Sequence, residues 1–178
     1  MDKIIELVAQ DPLRVKALDA VAQLKLPQCY IAAGFVRNLV WDHLHQFAQS
    51  TPLNDVDVIY FDDSETDVNR YLAYEEKLKQ LIPQFNWQVR NQAKMHLRNN
   101  DVPYLNSLDA MRHWPEQETA VAIRKTAKSE YECIAAFGFE SLFALQVTHN
   151  PLRPREVFDG RVENKGWLKK WPLLKVVN

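Results

Sequence analysis

Residues 54–62, Asn-Asp-Val-Asp-Val-Ile-Tyr-Phe-Asp, constrain the fold of this chain more than any other stretch. Val56 and Val58 alternate with polar residues, which is the period-two pattern of a strand with one buried face. Asp55 and Asp57 then share the opposite face, roughly 7 Å apart along the strand. A cation between them would take an oxygen from each carboxylate. The same tripeptide also fits a strand end whose acids stay in water.

The chain has 178 residues, of which 47% are hydrophobic and 25% charged. That is enough for one ordinary core and short for two. We therefore expect one domain over residues 1–150 and a C-terminal tail, residues 151–178, that packs on it. Residues 152–178 contain seven Lys or Arg against three acids, as well as prolines, which indicates an extended basic segment.

The overall charge and the cysteines limit which binding partners and which cellular compartment we expect. Lys and Arg number 22 against 23 Asp and Glu, so no overall field attracts DNA or an anionic membrane. Cys29 and Cys133 each lie in an apolar run, which favours free thiols in a reducing compartment. The chain has no apolar run of about 18 residues and no signal-peptide pattern, so we expect a cytoplasmic protein without a membrane partner.

The remaining patterns predict an α+β, or mixed α/β, fold with a central mixed sheet flanked by helices. Helical stripes follow Asp11-Pro12, Val36 and Ser64, and a short helix is expected over 107–113. The predicted strands are residues 28–33, 56–61, 87–91, 119–124 and 131–137, and the last two form a hairpin through the turn 125–129. The strand-helix-strand connections allow some parallel pairing.

Gly34 is the only glycine before residue 138 and lies between a predicted strand and a predicted helix. Without a Cβ, this corner lets a phosphate approach the backbone N–H groups at the start of the helix. Arg37, one turn later, can reach a triphosphate with its fork of donors. Taken singly, Gly34 also fits a plain tight turn, and Arg37 fits a surface residue.

Together, residues 32–42 and 54–58 resemble the opening of the DNA polymerase beta-type nucleotidyltransferase superfamily, in which a Gly-Gly or Gly-Ser corner precedes an acid-x-acid strand. The Gly-x-Val-Arg sequence is most similar to the tRNA nucleotidyltransferase and poly(A) polymerase branch. More narrowly, residues 27–152 resemble a bacterial family of nucleotidyltransferase-like proteins. The motifs of this narrower resemblance are residues 54–62, 91–96, 114–116 with 119–121, and 138–139 with 142–143.

The resemblance implies roles for the residues of both motifs. Asp55 and Asp57 would hold Mg²⁺, the amides at Gly34 would cradle the triphosphate, and Arg37 would steady it. An acceptor oxygen would attack the α-phosphorus in line, and pyrophosphate would leave. Ala33 departs from the family pattern, where a glycine is usual, and Asn38 stands where the tRNA-modifying branch has Asp.

The third carboxylate of the superfamily has no clear counterpart. The predicted strand 119–124 contains no acid, and Asn91 is neutral. Glu132, on the last predicted strand, fits best as a catalytic residue, with Glu116 or Glu118 as alternatives. In such enzymes this acid is expected to orient or deprotonate the attacking hydroxyl.

Asn91, Gln92 and His96 are candidates for reading a base or an acceptor, because amides present paired donors and acceptors. They also fit a loop whose polar side chains satisfy backbone groups.

Two functions follow from the resemblance. One is a Mg²⁺-dependent transfer of a nucleoside monophosphate from ATP or another triphosphate to a small molecule, an RNA end or a protein. The other is a catalytically silent relative that binds a nucleotide or a partner protein. With balanced charge and no appended RNA-binding domain, a small acceptor is favoured.

Overall fold

The computed structural model describes residues 1–53, 55–128 and 130–177. Asn54 of the acidic motif, Ser129 of the predicted hairpin turn and Asn178 lie outside the described residues. The described strands are β1 (Tyr30–Ala32), β2 (Val56–Tyr60), β3 (Trp87–Asn91), β4 (Val121–Lys125), β5 (Tyr131–Ala135), β6 (Gln146–Thr148) and β7 (Lys175–Val177). The described helices are α1 (Asp2–Ala9), α2 (Pro12–Ala22), α3 (Gly34–Leu44), α4 (Arg70–Leu81), α5 (Gln92–Asn99), α6 (Ser107–Met111), α7 (Glu140–Phe143), α8 (Arg155–Lys165) and α9 (Trp167–Lys170). One 3-10 turn, at Gln117–Thr119, is also present in the described part of the chain.

Five strands form one mixed sheet in the order β3-β2-β1-β4-β5, as expected for the α+β class. β1 pairs antiparallel with both β2 and β4, and β4 and β5 form the expected hairpin. β2 and β3 are parallel because α4 carries the chain back between them. The register places Ala32 opposite Asp57, so the strand before the glycine corner lies beside the acidic strand.

The two faces of β2 have different environments. Val56, Val58 and Tyr60 are fully buried in the main core, together with side chains of the helices α1–α4 and the aromatic rings of α8 and α9. The alternate residues Asp55 and Asp57 are only partly buried. The period-two pattern therefore sorts the side chains of β2 into a core face and a face that is left for a site.

Two side chains fix helix starts, of which the sequence predicted the first. Asp11 accepts hydrogen bonds from the backbone N–H groups of Leu13 and Arg14, both at 3.1 Å, and Pro12 is the first residue of α2. Asn91 ends β3 and caps α5 by accepting from the Ala93 N–H at 3.1 Å. Asn91 is thus both the last residue of β3 and the N-cap of α5.

The C-terminal segment differs from the predicted extended tail, since α8 and α9 occupy most of it. Phe158 is the only buried residue of α8. The helix therefore has almost no apolar periodicity from which it could be predicted. β7 then pairs in parallel with β6 as a second, two-stranded sheet. None of the described helices combines the length and apolar character needed to cross a lipid bilayer.

Candidate active site

A cleft of about 560 Å³ opens between the sheet, the start of α3 and the C-terminal helices. Five of the residues proposed from sequence line it, and they come from separate parts of the chain: Gly34, Arg37, Asp55, Asp57 and Gln92. The pairing of β1 with β2 causes this convergence, because it sets the end of β1, where α3 begins, beside Asp57. The acidic strand and the glycine corner therefore share one cavity.

The two aspartates form the acidic side of the cleft. Asp55 Oδ1 accepts a hydrogen bond from Asn86 Nδ2 at 2.5 Å. Burial, and next the neighbouring charge of Asp55, raise the pKa of Asp57, although Arg37, Lys165 and Arg161 lower it. A cation between the carboxylates would relieve this repulsion.

The two carboxylates do not make a complete metal site by themselves. Among the described residues, no group of three or more His, Cys, Asp or Glu side chains is arranged to hold a metal ion. Mg²⁺ usually keeps water or substrate oxygens and takes only one or two carboxylates from the protein. The Asp55–Asp57 pair fits that pattern, provided that a ligand such as a phosphate supplies further oxygens.

The corner before α3 is held in an unusual backbone conformation. Ala33 has φ +55° and ψ −122°, a region that a residue with a Cβ rarely adopts. Its N–H donates to the Val121 carbonyl at 2.9 Å, and its own carbonyl accepts from the N–H groups of Val36 and Arg37. These bonds hold the turn that starts α3. A glycine at position 33 would adopt this conformation without strain, which explains why the family pattern has glycine there.

Gly34 is the first residue of α3 and lines the cleft. A Cβ built on it would lie 3.4–3.5 Å from side-chain atoms of Asn38 and Arg37, which is ordinary contact. Internal packing therefore does not require glycine at this position. The first N–H groups of a helix lack intrahelical acceptors, and the helix dipole favours an anion beside them. Gly34 carries no Cβ and lines the cleft at this helix start, so a phosphate in the cleft could approach its N–H group.

Arg37 is 7% exposed and held on several sides. Its guanidinium donates to Thr119 Oγ1 at 2.6 Å and to Asn38 Oδ1 at 3.1 Å. Its Cζ lies 5.0 Å from the ring centre of Trp41 and 4.5 Å from that of Trp167. Burial lowers the pKa of Arg37 to about 10, so the side chain stays cationic at neutral pH.

One nitrogen of this arginine is left without a protein partner. Nε of Arg37 is buried and has no hydrogen-bond acceptor among the described residues. A buried donor without a partner costs free energy unless a ligand or water satisfies it. Because Arg37 lines the cleft, an anionic ligand there would meet a cation whose position the protein holds fixed.

The C-terminal helices supply the wall that sequence reasoning did not assign to the site. Three cationic side chains of this wall line the cleft: Arg161 and Lys165 of α8, and Lys170 of α9. Trp171 Nε1 anchors it by donating to the buried carboxylate of Asp42 at 2.8 Å. The excess of basic residues in the tail was the available signal, but sequence alone did not place these residues beside Asp57.

Helix α5 supplies a further side of the cleft. Gln92, Met95, Arg98 and Asn99 line it, at the three- and four-residue spacing of one helix face. Asn91, one residue earlier, does not: its amide is taken up by Asp62, Glu65 and the start of α5. Of the two amides proposed to bind a ligand, the structure thus brings only Gln92 to the cleft.

None of the three candidate third carboxylates lines the cleft within the described chain. Glu132 shares the sheet face of Asp57 by register, but β1 and β4 separate its strand from β2. Arg124 donates to it at 2.7 Å and the Tyr30 hydroxyl at 3.1 Å. Glu118 accepts from the backbone N–H and the hydroxyl of Thr148 at 2.7 Å each, and Glu116 is paired with Arg161.

Comparison with known proteins places the chain in a family. The family model described as "Nucleotidyltransferase" matches residues 19–176. A solved structure described as "a CCA-adding enzyme head domain" is 31% identical, with a TM-score of 0.85, over 100% of this chain and 96% of that one. None of the curated proteins matches the chain.

Two more distant solved structures share the fold. A CCA-adding enzyme in complex with CTP is 13% identical, with a TM-score of 0.62, over 98% of this chain and 43% of that one. A tRNA-processing enzyme in its apo form is 14% identical, with a TM-score of 0.54, over 92% of this chain and 42% of that one. This chain thus spans less than half the length of either protein. The family match over residues 19–176, together with the shared head-domain fold, shows that the chain belongs to the nucleotidyltransferase family.

Proposed function

We propose that this protein transfers a nucleoside monophosphate from a Mg²⁺-bound nucleoside triphosphate to an acceptor. The observation that carries the proposal is the meeting of Asp55 and Asp57 with Gly34 and Arg37 in one cleft. Asp55 and Asp57 would hold Mg²⁺, which supplies charge neutralisation at the phosphates when bound. The amides at the start of α3 and the guanidinium of Arg37 would orient the triphosphate.

A second candidate is a catalytically silent relative that binds the nucleotide without transferring it. The observation in its favour is that Glu116, Glu118 and Glu132 are each bound by another residue of the protein and do not line the cleft. No described carboxylate other than Asp55 and Asp57 then lines the cleft. Binding and transfer must therefore be measured separately.

Thermal unfolding with and without ligand tests the binding half of the proposal. A ligand that binds only the folded state, at a hundred times its Kd, adds about 2.7 kcal/mol, which raises the Tm by roughly 5–10 °C. ATP or another triphosphate with Mg²⁺ should raise the Tm, and Mg²⁺ alone should change it little. The double substitution Asp55→Asn, Asp57→Asn should remove the shift and leave the unliganded protein folded. A full shift in that variant would refute the site.

Transfer of label from an α-labelled triphosphate to an acceptor tests the other half. The silent relative would show the Asp-dependent Tm shift without labelled product. The proposed enzyme would show both, and the double substitution would abolish both. An Asp63→Asn variant is the matched control, because Asp63 is exposed and does not line the cleft.

A further inference from the structure

The segment 114–121, which contains one of the sequence motifs, has no role in the proposed function. It forms the 3-10 turn Gln117–Thr119 and the start of β4. Three of its polar side chains are buried: Glu116 and Glu118 are each 1% exposed, and Thr119 is 5% exposed. A buried carboxylate costs free energy unless a specific partner binds it. The partners of these side chains therefore indicate what the segment does.

Two sets of buried contacts fix the backbone of this segment. Glu118 accepts hydrogen bonds from the backbone N–H and the hydroxyl of Thr148 at 2.7 Å each. Asn150, which is also buried, donates to two carbonyl oxygens of residues 112–114 at 2.7 Å each. Satisfied buried hydrogen bonds make a segment rigid. The segment 114–121 can therefore hold a partner of its other side chains in a defined position.

The two remaining buried side chains each hold one arginine of the cleft. Thr119 Oγ1 accepts a hydrogen bond from Nη1 of Arg37 at 2.6 Å. Glu116 accepts from Nε of Arg161 and, at 3.3 Å, from its Nη2. Arg37 belongs to α3 and Arg161 to α8, and both line the cleft. One short segment thus fixes two cleft arginines that come from distant parts of the chain.

Glu116 binds only one edge of the Arg161 guanidinium. That edge is formed by Nε and Nη2, and Nη1 has no acceptor in the described part of the chain. Unlike Nε of Arg37, this Nη1 is not buried. A guanidinium has five N–H donors in a planar fork, so an arginine held along one edge can bind a phosphate along the other. Glu116 offsets the charge of Arg161 but holds its guanidinium in one orientation.

Arg161 lies within electrostatic reach of both parts of the proposed site. Burial lowers the pKa of Arg37, Glu116 raises it, and the positive charge of Arg161 lowers it again. Burial and Asp55 raise the pKa of Asp57, and Arg161 is among the cations that lower it. Two guanidinium groups that repel each other are stabilised by an anion bound between them. The arrangement therefore suits an anionic ligand that contacts both arginines.

We propose that Arg161 binds the phosphate chain of the triphosphate together with Arg37, and that Glu116 is the positioning residue of Arg161. This inference rests on the proposed function and adds a ligand class, because recognition through phosphate groups alone extends to inorganic polyphosphate. Tripolyphosphate carries the same kind of acceptor oxygens as the phosphate chain of a nucleoside triphosphate. The cleft should therefore bind tripolyphosphate without a base or a ribose.

A purely structural ion pair is the competing interpretation of the Arg161–Glu116 contact. The pair would then only dock α8 on the segment 114–121, and its loss would lower the unfolding free energy without changing the affinity for a ligand. Affinity must therefore be measured on variants that circular dichroism shows to be folded, and the Tm must be measured separately.

Calorimetric titration of the intact chain with inorganic tripolyphosphate, with and without Mg²⁺, tests the inference. Arg161→Gln should weaken binding about tenfold, because charge-assisted hydrogen bonds to phosphate are lost. Arg161→Lys keeps a cation beside Glu116 but loses the planar fork, so it should also bind less tightly than the native protein. It decides the question if Arg161→Gln does not fold. Arg155→Gln is the matched control, since Arg155 also lies on α8, pairs with Asp159 and does not line the cleft.

Glu116→Gln tests the positioning role. It should weaken tripolyphosphate binding although it removes a negative charge, because Arg161 loses its fixed orientation. In a protein that already carries Arg161→Gln, Glu116→Gln should cause no further loss, because Glu116 acts through Arg161. Tighter or unchanged binding by the single Glu116→Gln variant would overturn the positioning role.

The outcomes separate this inference from the proposed function. If Arg161→Gln lowers the Tm but binds tripolyphosphate as tightly as the native protein, or if the native protein binds none, the inference is overturned. The Asp-dependent Tm shift and the transfer of label then still decide the proposed function. Asp55→Asn combined with Asp57→Asn should retain metal-free tripolyphosphate binding, because these residues are proposed to serve the metal. If that binding is found but the native protein transfers no label, the proposed transfer fails and the phosphate site stands.

Discussion

The guanidinium of Arg37 stacks on the indole of Trp167, with 4.5 Å between the Cζ and the ring centre. Trp167 belongs to α9 and Arg37 to α3. The C-terminal segment therefore holds in place a cationic side chain that comes from the N-terminal half of the chain. Trp41 lies on the same guanidinium at 5.0 Å. Aromatic contacts of this kind stabilise a desolvated guanidinium and restrict its orientation.

Trp167 should therefore influence ligand binding through the orientation of Arg37. We expect Trp167→Leu to lower the affinity for Mg²⁺-triphosphate about tenfold and to lower the unfolding free energy by about 2–4 kcal/mol. Trp167→Phe keeps a ring and should retain most of the affinity. Calorimetric titration of folded protein separates the two effects. Equal affinities for the Leu and Phe variants would show that stacking has no role.

Asp57 should make stability depend on pH in a defined direction. Its pKa is raised in the folded protein, mainly by burial and then by Asp55, so the ionised form opposes folding. Asp57→Asn should therefore be more stable than the native protein at neutral pH. The difference should shrink as the pH falls through the raised pKa, because the native carboxyl then takes up a proton. Urea unfolding at several pH values measures this difference, and an unchanged difference would contradict the assignment.

The two residues of the corner should respond differently to exchange of Ala and Gly. Ala33→Gly should stabilise the protein by about 1 kcal/mol, or 2–4 °C in Tm, because glycine adopts the positive φ of position 33 without strain. Gly34→Ala should leave stability within about 1 kcal/mol of the native value, since its Cβ meets only ordinary contacts. It should nevertheless weaken triphosphate binding by about tenfold if phosphate approaches the amides there. Unaltered binding by Gly34→Ala would argue for a plain turn.

Glu132 gives two opposed expectations. The family resemblance makes it the third carboxylate, and loss of a general base lowers rates by about 10²–10⁴. The structure pairs it with Arg124 and Tyr30, away from the cleft. From that position we expect Glu132→Gln to retain transfer activity and to lose at most about 1 kcal/mol of stability, since the ion pair is partly exposed. A fall in rate of a hundredfold or more with unchanged triphosphate affinity would restore Glu132 to the reaction.

Local pattern was sufficient for much of the fold. The alternation around Asp57 predicted a strand with one buried face, and Asp11-Pro12 predicted the start of a helix; both are confirmed. The order of strand, glycine, helix and strand also predicted that β1 and β2 are neighbours, which the pairing of Ala32 with Asp57 confirms. These features depend on residues close in sequence, so periodicity and capping identify them.

Tertiary structure decided how the rest of the cleft is built. Helix α8 has one buried residue and little apolar periodicity, so its position depends on contacts such as the Arg161–Glu116 pair. Likewise, the neighbours of an acidic residue on a strand depend on the order of the strands in the sheet. Two strands separate the strand of Glu132 from that of Asp57, and Glu132 is paired with Arg124 across the hairpin. The sequence by itself determined the acidic strand and the glycine corner, because both are local. Only the tertiary structure decided which distant charged residues face the acidic strand and the glycine corner. Contacts between residues far apart in sequence depend on the order of the strands and on where the helices pack.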